Sequence, residues 1–226
     1  IDIQGKYGFL KFTGGNVKNG SGVVGVKGSS LVRLGDDNVR DANPTLTITG
    51  GTFTQDNFVA IKVDYGTLHL LGGVVNSANS YAVENWRTAN IKGGTVNGTV
   101  SSWAYSTGVA YSTLTISGGT VNGDVASVNY DSAVGKQARI YVKGGTVTGT
   151  LGTYTYDNGL VPTEETSMAT IEVTAGTFEK NPTKYVVEGS AVKTNVDGTF
   201  GVEKLLLAKV ICLLQASISD KHMSLD

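Results

Sequence analysis

The chain has 226 residues, 31 of them glycine and only three proline, with 18 basic against 19 acidic side chains and a formal charge of -1. That length can bury a substantial core, and so balanced a charge leaves no field with which to gather nucleic acid or an anionic membrane. Abundant Gly, Thr, Val, Ser and Asn with few helix-forming runs exclude a mainly helical or a disordered chain and point to strands joined by tight corners.

The opening stretch, I-D-I-Q-G-K-Y-G-F-L-K-F over residues 1–12, has neither the basic start nor the apolar run of a secretory leader, and it reads as a processed terminus. No segment reaches the roughly 20 apolar residues of a bilayer span. The nearest approach, residues 205–214, is interrupted by Lys209. The single cysteine, Cys212, excludes an internal disulfide.

A glycine pair organises the chain. It stands at Gly14-Gly15, Gly50-Gly51, Gly72-Gly73, Gly93-Gly94, Gly118-Gly119 and Gly144-Gly145, with Ala175-Gly176 as a last, altered copy. Two residues before each pair stand Phe12, Ile48, Leu70, Ile91, Ile116, Val142 and Val173, and four before stand Leu10, Leu46, Leu68, Ala89, Leu114, Ile140 and Ile171. Three after the first glycine stand Val17, Phe53, Val75, Val96, Val121, Val147 and Phe178. Residues two apart share a face only in a strand, so each copy predicts a strand with two inward side chains, a glycine corner, and a second inward strand. Alternation in V-A-I-K-V-D-Y-G-T (59–67) and Y-A-V-E-N-W (81–86) predicts a third side. Such strands bury their apolar face only by stacking coil on coil, so like residues must fall in register.

The spacing therefore predicts an all-β solenoid of about seven coils. Thr52, Thr95, Thr120, Thr146 and Thr177 form one small polar column after the glycines, and Asn76, Asn97 and Asn122 another. The Asn column is read as hydrogen bonding between coils, with glycan contact as the alternative. Residues 1–183 are expected to form the coils and residues 184–202 a closing β segment. The apolar tail, 203–226, reads as a helix by propensity, serving as an end cap or an oligomerisation segment. The connection between Val17 and Leu46, including residues 28–44, and the stretch 157–167 are expected to bulge outward as loops.

Carried by F-L-K-F-T-G-G-N-V, L-T-I-T-G-G-T-F, L-H-L-L-G-G-V-V, N-I-K-G-G-T-V, L-T-I-S-G-G-T-V, I-Y-V-K-G-G-T-V and I-E-V-T-A-G-T-F, the pattern resembles the single-stranded right-handed parallel β-helix of the pectin-lyase-like superfamily. The phrases are also similar to repeat regions of gut-bacterial surface proteins and phage fibres. That resemblance implies an extracellular, cell-surface or virion-surface location. It also implies surface glycans or neighbouring subunits as partners, with homo-oligomeric assembly, a trimer included.

Enzymes of that superfamily cleave acidic polysaccharides with clustered carboxylates. Asp36, Asp37 and Asp41 are one candidate set, and Asp64 and Glu84 with Arg87 another. By resemblance, a hydrolase should carry Gly-His-Gly and Arg-Ile-Lys. Here His69 sits in L-H-L-L, pointing outward between Leu68 and Leu70, and Tyr141 follows Arg139-Ile140. No catalytic residue, metal ligand or cofactor is assigned. The outward column Lys11, Thr47, His69, Asn90, Thr115, Tyr141 and Glu172 is too mixed for an ice-binding array. Aromatic residues offer more, since Tyr81, Trp86, Trp103, Tyr105, Tyr111, Tyr130, Tyr141, Tyr154 and Tyr156 crowd the middle coils. Trp86, Trp103, Tyr105, Tyr111 and Tyr130 are the candidate ligand-binding residues, because rings with polar edges stack on sugars when they face outward. Subunit contact and simple packing are the alternatives. The leading expectation is a non-enzymatic structural or adhesive solenoid, with a polysaccharide lyase or hydrolase as its rival.

Overall fold

The computed structural model describes residues 1–3, 7–19, 30–35, 43–106, 109–130, 134–163 and 168–205. Its strands wind into a parallel β-helix with three sides, wrapping about 302° round a common axis. Sheet 1 stacks Phe9–Phe12, Thr45–Ile48, Thr67–Leu70 and Thr88–Ile91 with the first parts of Tyr111–Asn122, Gln137–Val147 and Ala169–Phe178. Sheet 2 stacks Asn16–Lys18 and Thr52–Gln55 with the starts of Val74–Asn85 and Thr95–Ala104 and the ends of the same three long strands. Sheet 3 holds Asp2–Ile3, Ser30–Leu34, Val59–Val63, the ends of Val74–Asn85 and Thr95–Ala104, then Val125–Tyr130 and Leu151–Tyr156. Sheets 1 and 2 each count seven described strands.

The glycine-aligned columns are the core. Ile48, Leu70, Ile91, Ile116 and Val142 pair in register down sheet 1, and each is sealed from solvent. Phe53, Val75, Val96, Val121, Val147 and Phe178 do the same on sheet 2. The corner needs glycine for two reasons. Gly73 sits at φ +84°, and a Cβ on Gly72 would lie 2.5 Å from the Thr49 carbonyl oxygen of the coil before.

On the outside of sheet 2 the Asn column binds neighbouring coils. Asn122 Nδ2 donates to Asn97 Oδ1 at 2.8 Å, Asn97 Nδ2 to Asn76 Oδ1 at 2.7 Å, and Asn76 Nδ2 to Thr54 Oγ1 at 3.0 Å. His69 stands outward on sheet 1, level with Thr47 and Asn90.

Three features depart from the sequence reading. Residues 30–34, expected in an outward loop, form a full sheet 3 strand, with Val32 and Leu34 buried against Ile61 and Val63. Their S-L-V-R-L alternation matches that of V-A-I-K-V. Likewise Leu160–Pro162 does not bulge but doubles back antiparallel to Leu151–Tyr156. The third side is also only partly apolar inside. Asn85, Ser102, Ser127, Asn129 and Thr153 are buried there, bonded to one another's coils and to backbone.

Ser190–Thr194 and Phe200–Lys204 form a hairpin whose second strand pairs antiparallel with the end of Ala169–Phe178. It closes the C-terminal edge of sheet 2. Of the tail expected to be helical, residues 203–226, Glu203 and Lys204 instead end the strand Phe200–Lys204, where pairing with Ser190–Thr194 overrides helix propensity, and residues 206–226 lie outside the described residues, as do Asp36, Asp37 and Asp41.

Candidate functional site

Strand alternation builds the site. With Val83, Val100 and Val125 turned inward on sheet 3, the intervening positions point out of the coil, and parallel pairing lines them up coil by coil. Trp103 pairs with Val128 and Val128 with Tyr154, while Asn85 opposite Ser102 sets Trp86 beside Trp103. On the next rung Tyr130 pairs with Tyr156, and Tyr105 follows the Ala104–Asn129 pair.

The rings touch as one cluster. Trp86 and Trp103 stack with centroids 5.3 Å apart, and Tyr105 meets Trp86 edge-on at 5.1 Å. Tyr130 lies 6.0 Å from Trp86, 5.9 Å from Trp103 and 4.7 Å from Tyr156. Tyr81 closes one end, edge-on to Trp103 at 5.7 Å. Four of the five aromatic residues singled out in the sequence are thus together.

Their roles differ. Trp103 is only 5% exposed and donates through Nε1 to Ser101 Oγ at 2.8 Å, so it is the floor of the terrace rather than its surface. Trp86, Tyr130 and Tyr156 are half-buried and form the upper layer. Tyr111 stands apart, outside sheet 1, 53% exposed and covered by the Arg139 guanidinium 3.6 Å from its ring centroid.

A charged border follows the aromatic rings. Lys62 Nζ lies 3.2 Å from Asp64 Oδ1 and 3.7 Å from Glu84 Oε1, and Arg33 Nε donates to Asp64 Oδ2 at 2.5 Å. Arg87 Nε donates to the Asp64 carbonyl at 3.3 Å while its guanidinium lies 4.3 Å from the Tyr65 ring centroid. Asp64, Glu84 and Arg87 therefore do converge. Both carboxylates, however, share one lysine, and Glu84 also accepts from Trp86 Nε1 at 2.7 Å. Burial pushes the Glu84 carboxyl up, against the opposing pull of Lys62 and the Trp86 hydrogen bond. Among the described residues no group of three His, Cys, Asp or Glu side chains is placed to hold a metal ion.

Beside the terrace runs a groove of about 460 Å³, lined by Asn79, Ser80, Tyr81, Asp124, Tyr154 and Leu160 among others. Burial first, then the Glu84 charge and the other tyrosines, push the Tyr81 hydroxyl up to about 12, so it stays a neutral donor and acceptor. Asp124 Oδ1 accepts from Thr150 N at 2.7 Å and Thr150 Oγ1 at 2.8 Å. Sequence reasoning did not select Asn79, Asp124 or Leu160, because the strand that brings Leu160 back to Tyr154 has no periodic signal. Tyr81 and Tyr154 were visible only as members of the aromatic crowd.

Comparison of the chain with protein-family models, with curated proteins and with solved structures finds no match.

Proposed function

We propose that this chain is a non-catalytic, exported β-solenoid, displayed on a cell or virion surface, whose sheet 3 face holds carbohydrate. The observation that carries the reading is the continuous layer of half-buried aromatic rings, Trp86, Tyr130 and Tyr156, on the outside of a rigid sheet, with a groove alongside that Tyr154 lines. A flat apolar surface with hydroxyl and carboxylate edges suits a pyranose ring, which offers C–H groups to the rings and hydroxyls to the border. Charge selects among sugars. Lys62 and Arg33 are already matched by Asp64 and Glu84, and the groove adds Asp124, so a neutral glycan fits better than an acidic one.

Coupled with its resemblance to the pectin-lyase-like superfamily and to surface-protein and fibre repeats, this favours an adhesive rod that assembles with copies of itself. The rival reading, a glycan-cleaving enzyme, draws support from the raised Glu84 carboxyl, since a general acid must keep its proton. Its weakness is that both carboxylates are clamped by Lys62.

Binding to a panel of neutral and acidic oligosaccharides, followed by tryptophan fluorescence, tests the proposal. Trp86→Ala with Tyr130→Ala is expected to weaken neutral-glycan binding at least tenfold, or about 1.4 kcal/mol, with the fold retained because Trp103 stays. Unchanged affinity in that variant contradicts the site. Release of new reducing ends by the native chain, lost in Glu84→Gln, contradicts the non-catalytic reading.

A further inference from the structure

Gly14 has no reason to be glycine within the described structure. Its counterparts all do: a Cβ on Gly50, Gly72, Gly93 or Gly118 would lie 2.5, 2.5, 2.4 or 2.4 Å from a carbonyl oxygen of the coil before it, from Thr13, Thr49, Leu71 and Lys92 in turn. Contacts that close leave no room for any side chain. Around Gly14 nothing among the described residues comes within 4 Å, although it stands in the same Thr-Gly-Gly corner.

The same vacancy shows in the core and the backbone. Leu10, Phe12 and Val17 are half-buried, whereas their partners Leu46, Ile48 and Phe53 are sealed. Across each later corner, N–H groups donate to the previous coil, as Thr49 N to Phe12 O at 2.8 Å, Thr52 N to Gly15 O at 2.8 Å, Leu71 N to Ile48 O at 2.8 Å and Val74 N to Gly51 O at 2.8 Å. The equivalent donors Thr13 N and Asn16 N have no such acceptor among the described residues.

We infer that the face formed by Phe9–Phe12 and Asn16–Lys18 is a seat for one more coil of the same Thr-Gly-Gly type, supplied by polypeptide upstream of Ile1. The winding favours that source. Asp2 and Ile3 occupy sheet 3, in register with Arg33 and Leu34, and every later sheet 3 strand is entered from sheet 1 by way of sheet 2. Chain leading into Ile1 by the same path lays a strand on Asn16–Lys18 and, before it, one on Phe9–Phe12. A second copy offers a poorer match. Its C-terminal edge of sheet 2 is covered by an antiparallel hairpin, and its N-terminal edge would meet this one without the parallel register that brings corner carbonyls over glycine.

Register also specifies the test. Asp2 and Ile3 align through Arg33 and Leu34 with Lys62 and Val63, so Ile1 takes the place of Ile61. A copy of residues 45–60 joined directly ahead of Ile1 therefore supplies the missing coil in register. In the chain alone, Gly14→Ala is expected to leave Tm unchanged, while Gly72→Ala lowers it by about 4 °C or more. In the extended chain Tm is expected to rise, and Gly14→Ala to lower it as Gly72→Ala does. A Gly14→Ala substitution that stays neutral in the extended chain overturns the inference. So does sedimentation showing that the unextended chain pairs through this face and that Gly14→Ala breaks the pair, which would make a second copy the occupant. The polypeptide in its natural length is expected to give an intact mass with residues before Ile1 and the same sensitivity at Gly14; a natural chain starting at Ile1 overturns the assignment of source.

Discussion

Glu84 shows how one side chain on an outward rung is tuned by its neighbours. Its carboxylate is desolvated by the aromatic layer, and that cost outweighs the favourable pull of Lys62 and of the Trp86 indole N–H, so its proton is held more tightly folded than unfolded. An acid whose folded value is raised contributes most to stability at pH below its unfolded value, and the contribution is lost as pH rises through the folded one. Glu84→Gln keeps an oxygen acceptor for Trp86 and removes the charge. Its stability relative to the native chain is therefore expected to improve between about pH 4 and pH 7, read as the shift in denaturant midpoint. A constant difference across that interval would show that burial does not govern this carboxyl.

At the scale of elements, the glycine corner and its flanking columns were legible because they repeat with period two and meet identical neighbours on both sides. The corner between sheets 3 and 1 was not, since its inward residues mix apolar with polar. Val83 and Val100 are followed inward by Asn85 and Ser102, and Val125 by Ser127 and Asn129, which hydropathy alternation alone marks as surface. Burial is tolerable because each group is bonded: Asn85 Nδ2 donates to Ser102 Oγ at 3.2 Å and to the Thr113 carbonyl at 3.1 Å, and its Oδ1 accepts from Arg87 N at 3.2 Å. Asn85→Ala strands those partners inside the coil and is expected to cost about 2 kcal/mol or more, measured by urea unfolding. A loss under about 0.5 kcal/mol would mean that the corner is held by the flanking strands alone. The aromatic terrace was half legible for the related reason that sequence marks rings but not their depth. Trp86 and Trp103 look alike in the chain, yet alternation and coil pairing put one over the other. Tyr111, equally aromatic, falls on sheet 1 because it opens a strand there.

The whole molecule is a three-sided rod in which each coil rests on its neighbours, so stability and binding surface both extend along one axis. One end of sheet 2 carries the hairpin of Ser190–Thr194 and Phe200–Lys204, and the other end stops at glycines and half-buried apolar residues fitted for a further coil. Rods of this kind present long faces, and here sheet 3 is the face on which the aromatic rings gather into one cluster. Both the sugar-binding proposal and the open seat depend on parallel coils in register. That register places Lys11, Thr47, His69, Asn90, Thr115 and Tyr141 in one outward line, five strand spacings from end to end. Spin labels on cysteines replacing Lys11 and Tyr141, in a Cys212→Ser background, measure it by pulsed dipolar spectroscopy. Stacked coils predict a narrow distribution centred at about 24 Å, five times the roughly 4.8 Å between strands. A broad distribution, or a centre displaced by 10 Å or so, twice that spacing, would contradict them.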